Sequence, residues 1–149
     1  MAIKSIIWRW FAINSTISNF IKSLLDTSLG ITVDLGMPDF NKQKTGSEVY
    51  GLQYKALEDA SQTGDDWTMA KSEMSLFCVS KGITSEDYSS LHDKARDIQE
   101  VLKGVFNISF PDTKLTAITD LVVDEAGIDK ATRYVLVVKG MVLWQYLAQ

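Results

Sequence analysis

"RYVLVVKGMVLW", residues 133–144, is the stretch on which the fold turns. Val135, Leu136, Val137 and Val138 place apolar side chains at both parities of an extended chain, so both faces of this strand must be covered, by helices or by a neighbouring subunit. A strand of that kind belongs in the middle of a sheet. It forms part of a longer run, Ala131 to Tyr146, which follows a second run rich in Val, Ile, Leu and Thr, Lys114 to Asp124. "EAGIDK", with Gly127, joins them, and the pattern predicts a long antiparallel C-terminal hairpin.

Working back from the hairpin, "WTMAKSEMSLFCVSKG" alternates as a strand, and Val49, Leu52, Tyr54 and Leu57 suggest another before it. The acidic stretch "EDASQTGDD", residues 58–66, reads as the loop between them, giving an antiparallel meander. A helix separates meander from hairpin. Thr84 and Asp87 have the spacing of a capping box, Leu91, Ala95, Ile98 and Leu102 form one apolar stripe, and Gly104 follows.

Nearer the start, Ile6, Trp10, Ile13, Ile17, Phe20 and Leu24 recur at helical spacing. Asn14, Ser15 and Thr16 are all good cap residues, so the stretch is either one helix or a short segment followed by a helix from about Ser15, closed by Gly30 in both cases. "ITVDLGMPDF", residues 31–40, then alternates as a strand and breaks at Pro38, running into a loop through Gly46 that is longer than a scaffold connection needs. The expected fold is α+β in one domain, residues 1–149: a mainly antiparallel sheet with a long C-terminal hairpin, flanked by an N-terminal and a central helix.

Composition narrows the function. The chain has 149 residues, 46% of them hydrophobic, and 15 Lys and Arg against 19 Asp and Glu give a net charge of −4. General attraction to phosphate backbones or anionic lipid is therefore disfavoured. The opening apolar run is interrupted by Arg9, lacks a cleavage pattern and is too short to span a bilayer, which predicts a cytoplasmic chain with no membrane partner. One cysteine, Cys78, permits no internal disulfide, and its neighbours Leu76, Phe77 and Val79 predict a buried strand position.

Catalytic clusters are scarce. His92 is the sole histidine and falls on the polar side of the central helix, an exposed bystander in this reading. Asp65 with Asp66, Glu86 with Asp87 and Asp124 with Glu125 lie in expected turns or helix starts, where solvation and capping account for them. No metal-ligand or phosphate-loop spacing occurs, so neither cofactor nor metal is expected. Of the four tryptophans, Trp8 and Trp10 cannot share a helix face, which leaves one exposed unless something covers it, while core or subunit packing suits Trp67 and Trp144.

Taken in order, a leading helix, a strand ending in "LGMPDF", a meander into "SEMSLFCVSKG", a helix in "SSLHDKARDIQEVLKG" and a closing strand pair ending "RYVLVVKGMVLW" resemble the tail terminator proteins of long-tailed bacteriophages. The resemblance spans about residues 15 to 147 and includes no catalytic motif. It implies a structural virion protein at the tail–neck junction, assembled in the host cytoplasm. Such proteins form a ring, usually of six subunits, that caps the tail tube, stops its polymerisation and joins it to the neck.

The partners so implied are other copies of the chain, the tail tube protein and a neck or sheath component. DNA would pass through the ring unbound. Two features exceed the pattern: the apolar, Trp-rich first thirteen residues and the basic loop Asn41 to Ser47. Trp8, Trp10, Met37, Pro38, Asp39, Phe40, Lys42 and Lys44 are accordingly the expected partner-facing residues, although Met37 and Phe40 would equally well cover the base of the core. An acidic lumen would avoid trapping DNA, and Glu58, Asp65, Asp66, Asp124, Glu125 and Asp129 are candidates to line it, or else are ordinary solvated charges. The competing reading is a small ligand-binding or enzymatic α+β domain with a pocket between helices and sheet. A single-stranded nucleic-acid binder fits the acidic charge poorly.

Overall fold

The computed structural model describes residues 12–36, 48–62, 67–128 and 133–147. A π-helical turn, Ala12–Ile17, runs into α1, Ser18–Leu29. The remaining elements are β1, Val33–Leu35; β2, Val49–Gln62; β3, Trp67–Val79; α2, Ser85–Lys103; β4, Phe106–Ser109; β5, Thr113–Ile128; and β6, Tyr134–Leu147. They make an α+β fold in which one six-stranded sheet, ordered β1-β2-β3-β6-β5-β4, carries both helices on one face.

The two-sided strand read from the sequence is central, as its composition requires. β6 lies between β3 and β5, and its residues Val135 to Val138 are all buried. Leu136, Val138, Val142 and Trp144 point into the main core, where they meet Ile17, Ile21 and Leu25 of the N-terminal helix and Leu91, Ala95, Ile98 and Leu102 of α2. On the other face Val135 joins Val49 and Val79 in a second, smaller cluster against Phe77.

Helix ends follow the local chemistry. The Thr84 hydroxyl accepts from the Asp87 amide and the Asp87 carboxylate from the Thr84 amide, a reciprocal capping box that starts α2. Gly30 closes α1 with φ +67°, donating to the Asp26 carbonyl at 2.9 Å. No side chain caps the start of α1, so Asn14, Ser15 and Thr16 do not play the capping role that their residue types suggest. The chain instead continues upstream as the π turn.

Three expectations need correction, and one strand was missed. β2 continues through Glu58–Gln62, so most of the supposed acidic loop is strand, paired residue by residue with β3. β5 likewise continues through Asp124–Ile128, and Gly127 stands within it opposite Val135. In both places hydrogen bonding to a well-formed neighbouring strand overrides weak intrinsic propensity. β1 is reduced to three residues and runs parallel to β2, its Leu35 side chain exposed. β4 was hidden in the sequence because "FNIS" is short and nearly all exposed.

Bulges curl the sheet. Register shifts interrupt β5 between Leu115 and Ala117, Thr119 and Val122, and Glu125 and Gly127. At the second of these Asp120 takes φ +55°, a left-handed conformation that Asp tolerates better than most residues. Gly140 of β6 makes room for the bulge: a Cβ there would stand 2.9 Å from Leu121 Cδ2 and 3.0 Å from Ile118 Cγ2. Asn107, at φ +52°, turns β4 so that Phe106 is exposed while Ile108 packs against the main core.

Candidate functional site

The pleat separates two acidic residues that sit together in the sequence. Asp124 pairs with Val137 and lies on the face away from the helices, where its carboxylate meets Lys139 Nζ at 3.2 Å. Glu125 pairs with Leu136 and faces α2. Adjacent strand residues point to opposite sides, so these two carboxylates cannot line one channel wall together.

On the helix side Glu125 completes a polar cluster. Tyr88 donates its hydroxyl to Glu125, His92 Nε2 lies 2.8 Å from that hydroxyl, and the same nitrogen is 3.4 Å from the Glu125 carboxylate. Tyr88 and His92 are one helical turn apart on α2, with ring centroids 4.6 Å apart. Tyr134 packs edge-on against Tyr88 at 5.0 Å and donates to the Ile83 carbonyl at 3.1 Å. His92 is thus engaged between helix and sheet, where the sequence suggested a bystander. The hydrogen bond from Tyr88, followed by that of His92, holds the Glu125 carboxyl below the usual carboxylate range, and the same bond raises the Tyr88 phenol.

This cluster fastens α2 to β5. Its carboxylate and phenol are open to water, and no charged group is forced into an unsolvated site. Nearby, a shallow surface depression runs along α2, lined by Ser85, Glu86, Ser89, Asp93, Lys94 and Asp97 of a single helix face. Among the described residues no three His, Cys, Asp or Glu come together to hold a metal ion, and no helix is long and apolar enough to cross a membrane.

Two further polar contacts fix the base of the sheet. Glu48 accepts from Tyr50 at 2.9 Å and from Ser90 of α2 at 3.2 Å. Arg133, buried at the start of β6, donates from Nε to the Ser80 carbonyl at 2.7 Å. Cys78 is buried with its thiol pushed up by desolvation, as expected of a structural cysteine.

The outer face carries a different surface. Trp67, Met69, Met141, Leu143 and Leu147 are half-buried or exposed there, together with Lys71 and Glu73. Lys114 Nζ sits over the Trp67 ring at 4.2 Å from its centroid. Trp144, by contrast, is core. Of the expected partner-facing residues, Trp8, Trp10, Met37, Pro38, Asp39, Phe40, Lys42 and Lys44 lie outside the described residues, as do Asp65, Asp66 and Asp129 of the acidic set. Glu58 lies in β2, level with Lys71 of β3. The Tyr88–His92–Glu125 cluster went unnoticed in the sequence, although the Tyr88/His92 spacing on a secure helix was a signal for half of it.

No protein-family model and no curated protein sequence matches the chain. A solved structure does: a chain described as "Virion of native gene transfer agent (GTA) particle", with 11% sequence identity, a TM-score of 0.51, and coverage of 84% of each chain. At that identity the likeness is one of fold.

Proposed function

We propose that this chain is a structural virion protein of a phage-like particle, and more specifically a ring-forming tail terminator that caps the tail tube and joins it to the neck. The observation that carries the reading is the shared fold with a chain of a gene transfer agent virion over most of both lengths. The element order, which resembles that of tail terminators, also supports it.

In this reading the protein performs no catalysis, and its chemistry is recognition. The ring, usually of six copies in the family resembled, would carry −24 from six times −4. DNA would therefore pass without the counterion-releasing contacts that hold it to basic proteins. Trp8, Trp10, Met37 to Phe40, Lys42 and Lys44 are assigned to partner contacts with tube, neck or sheath, and Glu58, Asp65, Asp66, Asp129 and one of Asp124 or Glu125 to the channel side. Asp124 is already neutralised by Lys139, which lowers its weight in that set.

Native mass spectrometry of the full chain, alone and mixed with purified tail tubes, tests the proposal. A closed oligomer that blocks further tube growth is expected. A chain that stays monomeric in both mixtures, with tubes growing unchecked, would overturn it.

A further inference from the structure

Among the described residues, two long strand edges are open at opposite corners of the sheet. β1 covers β2 only from Tyr50 to Leu52, and β4 covers β5 only from Lys114 to Ala117. Among the described residues, β2 from Gln53 to Gln62 and β5 from Ile118 to Ile128 have no partner strand on their outer sides. Within the β5 stretch Gln99 of α2 donates to the Leu121 carbonyl at 2.9 Å, at the bulge. Open edges of this length recruit other strands unless they are blunted by proline or lysine. The β5 stretch has neither, and the β2 stretch has only Lys55.

We propose that β5 of one copy pairs antiparallel with β2 of the next, so that neighbouring sheets join edge to edge around the ring. The proposal rests on the ring reading above and supplies its contact. Three features of the sheet favour a second copy as the occupant. First, the two open stretches are of similar length. Second, β2 and β5 run in opposite directions, so that docking the edges continues the antiparallel alternation already present from β2 to β5.

The third feature is the stagger. Gln53 and Gln62 stand level with Lys139 and Tyr146 of β6, whereas Ile118 and Ile128 stand level with Val142 and Tyr134. The midpoints of the two edges are therefore offset by about 15 Å along the strands at ~3.3 Å per residue. The four strands from β2 to β5 span about 19 Å across at ~4.8 Å each. Matching the edges thus tilts the strands by about 40°, within the ~35–45° at which sheets close on themselves. Each contact is heterologous, one edge to a different edge, which is the kind that builds rings. The bulges that bend β2 and β5 add the coiling that such closure needs.

Cysteine cross-linking of assembled rings tests this. Cysteine at Glu58 or Ser61, level with the outer-face residues Lys71 and Met69, would be combined in one chain with cysteine at Thr119, Val122 or Asp124, whose β6 partners lie on that same face, and buried Cys78 left in place. Oxidation should give a ladder of covalent multimers for at least one pair and none for either single variant. A second arm needs no substitution: amides of 53–62 and 122–128 in the wild-type ring should exchange about tenfold or more slowly than in the monomer. A ring seen by native mass without cross-links or protection overturns edge pairing and leaves the ring reading standing. Cross-links from single variants would replace it with a like-to-like contact. A chain monomeric even on tail tubes overturns both.

Discussion

Trp144 Nε1 donates to the Ser72 hydroxyl at 3.1 Å, across the β3–β6 pair and within the main core. Both side chains are almost entirely buried, so each satisfies a polar atom the other would otherwise strand. Trp144→Phe should cost about 1–3 kcal/mol, because it deletes the donor and some packing while leaving the hydroxyl buried. Ser72→Ala should cost less. In urea unfolding the double variant should be less destabilised than the sum of the two singles, and strict additivity would show that the bond contributes nothing.

Gly140 is the position at which β6 admits the β5 bulge. Gly140→Ala should lower stability by about 1–3 kcal/mol through the close approach of its Cβ to Leu121 and Ile118. Shortening the opposing side chain with Leu121→Ala in the Gly140→Ala background should cost less than Leu121→Ala in the wild type. Equal costs in the two backgrounds would remove the steric explanation.

The Glu125 carboxyl is held low in the folded state by Tyr88 and His92. A depressed carboxyl contributes stability that is present above the unfolded value of about 4.3 and lost as pH falls through the folded one. Glu125→Gln should therefore lower the melting temperature near neutral pH, and the gap from wild type should close below about pH 4. A gap that persists unchanged to pH 3 would assign the effect to packing. His92→Ala should leave assembly intact, because the cluster fastens α2 to β5 and performs no reaction in the proposed function.

Alkaline pH should be destabilising for a separate reason. Burial pushes the Tyr54 phenol up to about 12 and raises Tyr50 and the Cys78 thiol as well. Groups with raised folded values contribute stability that is fully present below their unfolded values, about 8.5 for Cys and about 10 for Tyr, and lost as pH rises through the folded ones. The urea midpoint should fall progressively above about pH 9, and Cys78 should react with thiol reagents only at the rate of unfolding. Reaction of Cys78 at the rate of a free thiol in the native protein would contradict its burial.

Thr84→Ala breaks the capping box and should cost about 0.5–2 kcal/mol, read from thermal unfolding. Thr84→Ser should restore most of it. A serine variant as unstable as the alanine one would point away from the cap.

Periodicity alone identified α2 with both of its ends, the buried Cys78 and the central place of β6, because each depends on local pattern: a stripe, a capping pair, an apolar run at both parities. Where strands end was not legible in the same way. Glu58–Gln62 and Asp124–Ile128 read as polar turns, yet each is strand because a partner already held in place satisfies its backbone groups. Asp124 and Glu125 looked like one acidic patch, and the pleat sends one to Lys139 and the other to Tyr88 and His92. Among the described residues, the open edges on β2 and β5 follow from the short reach of β1 and β4, which no single segment encodes. Side-chain pattern fixes which face of an element is buried, whereas the neighbour across a sheet, and how far it extends, is settled only when distant segments meet.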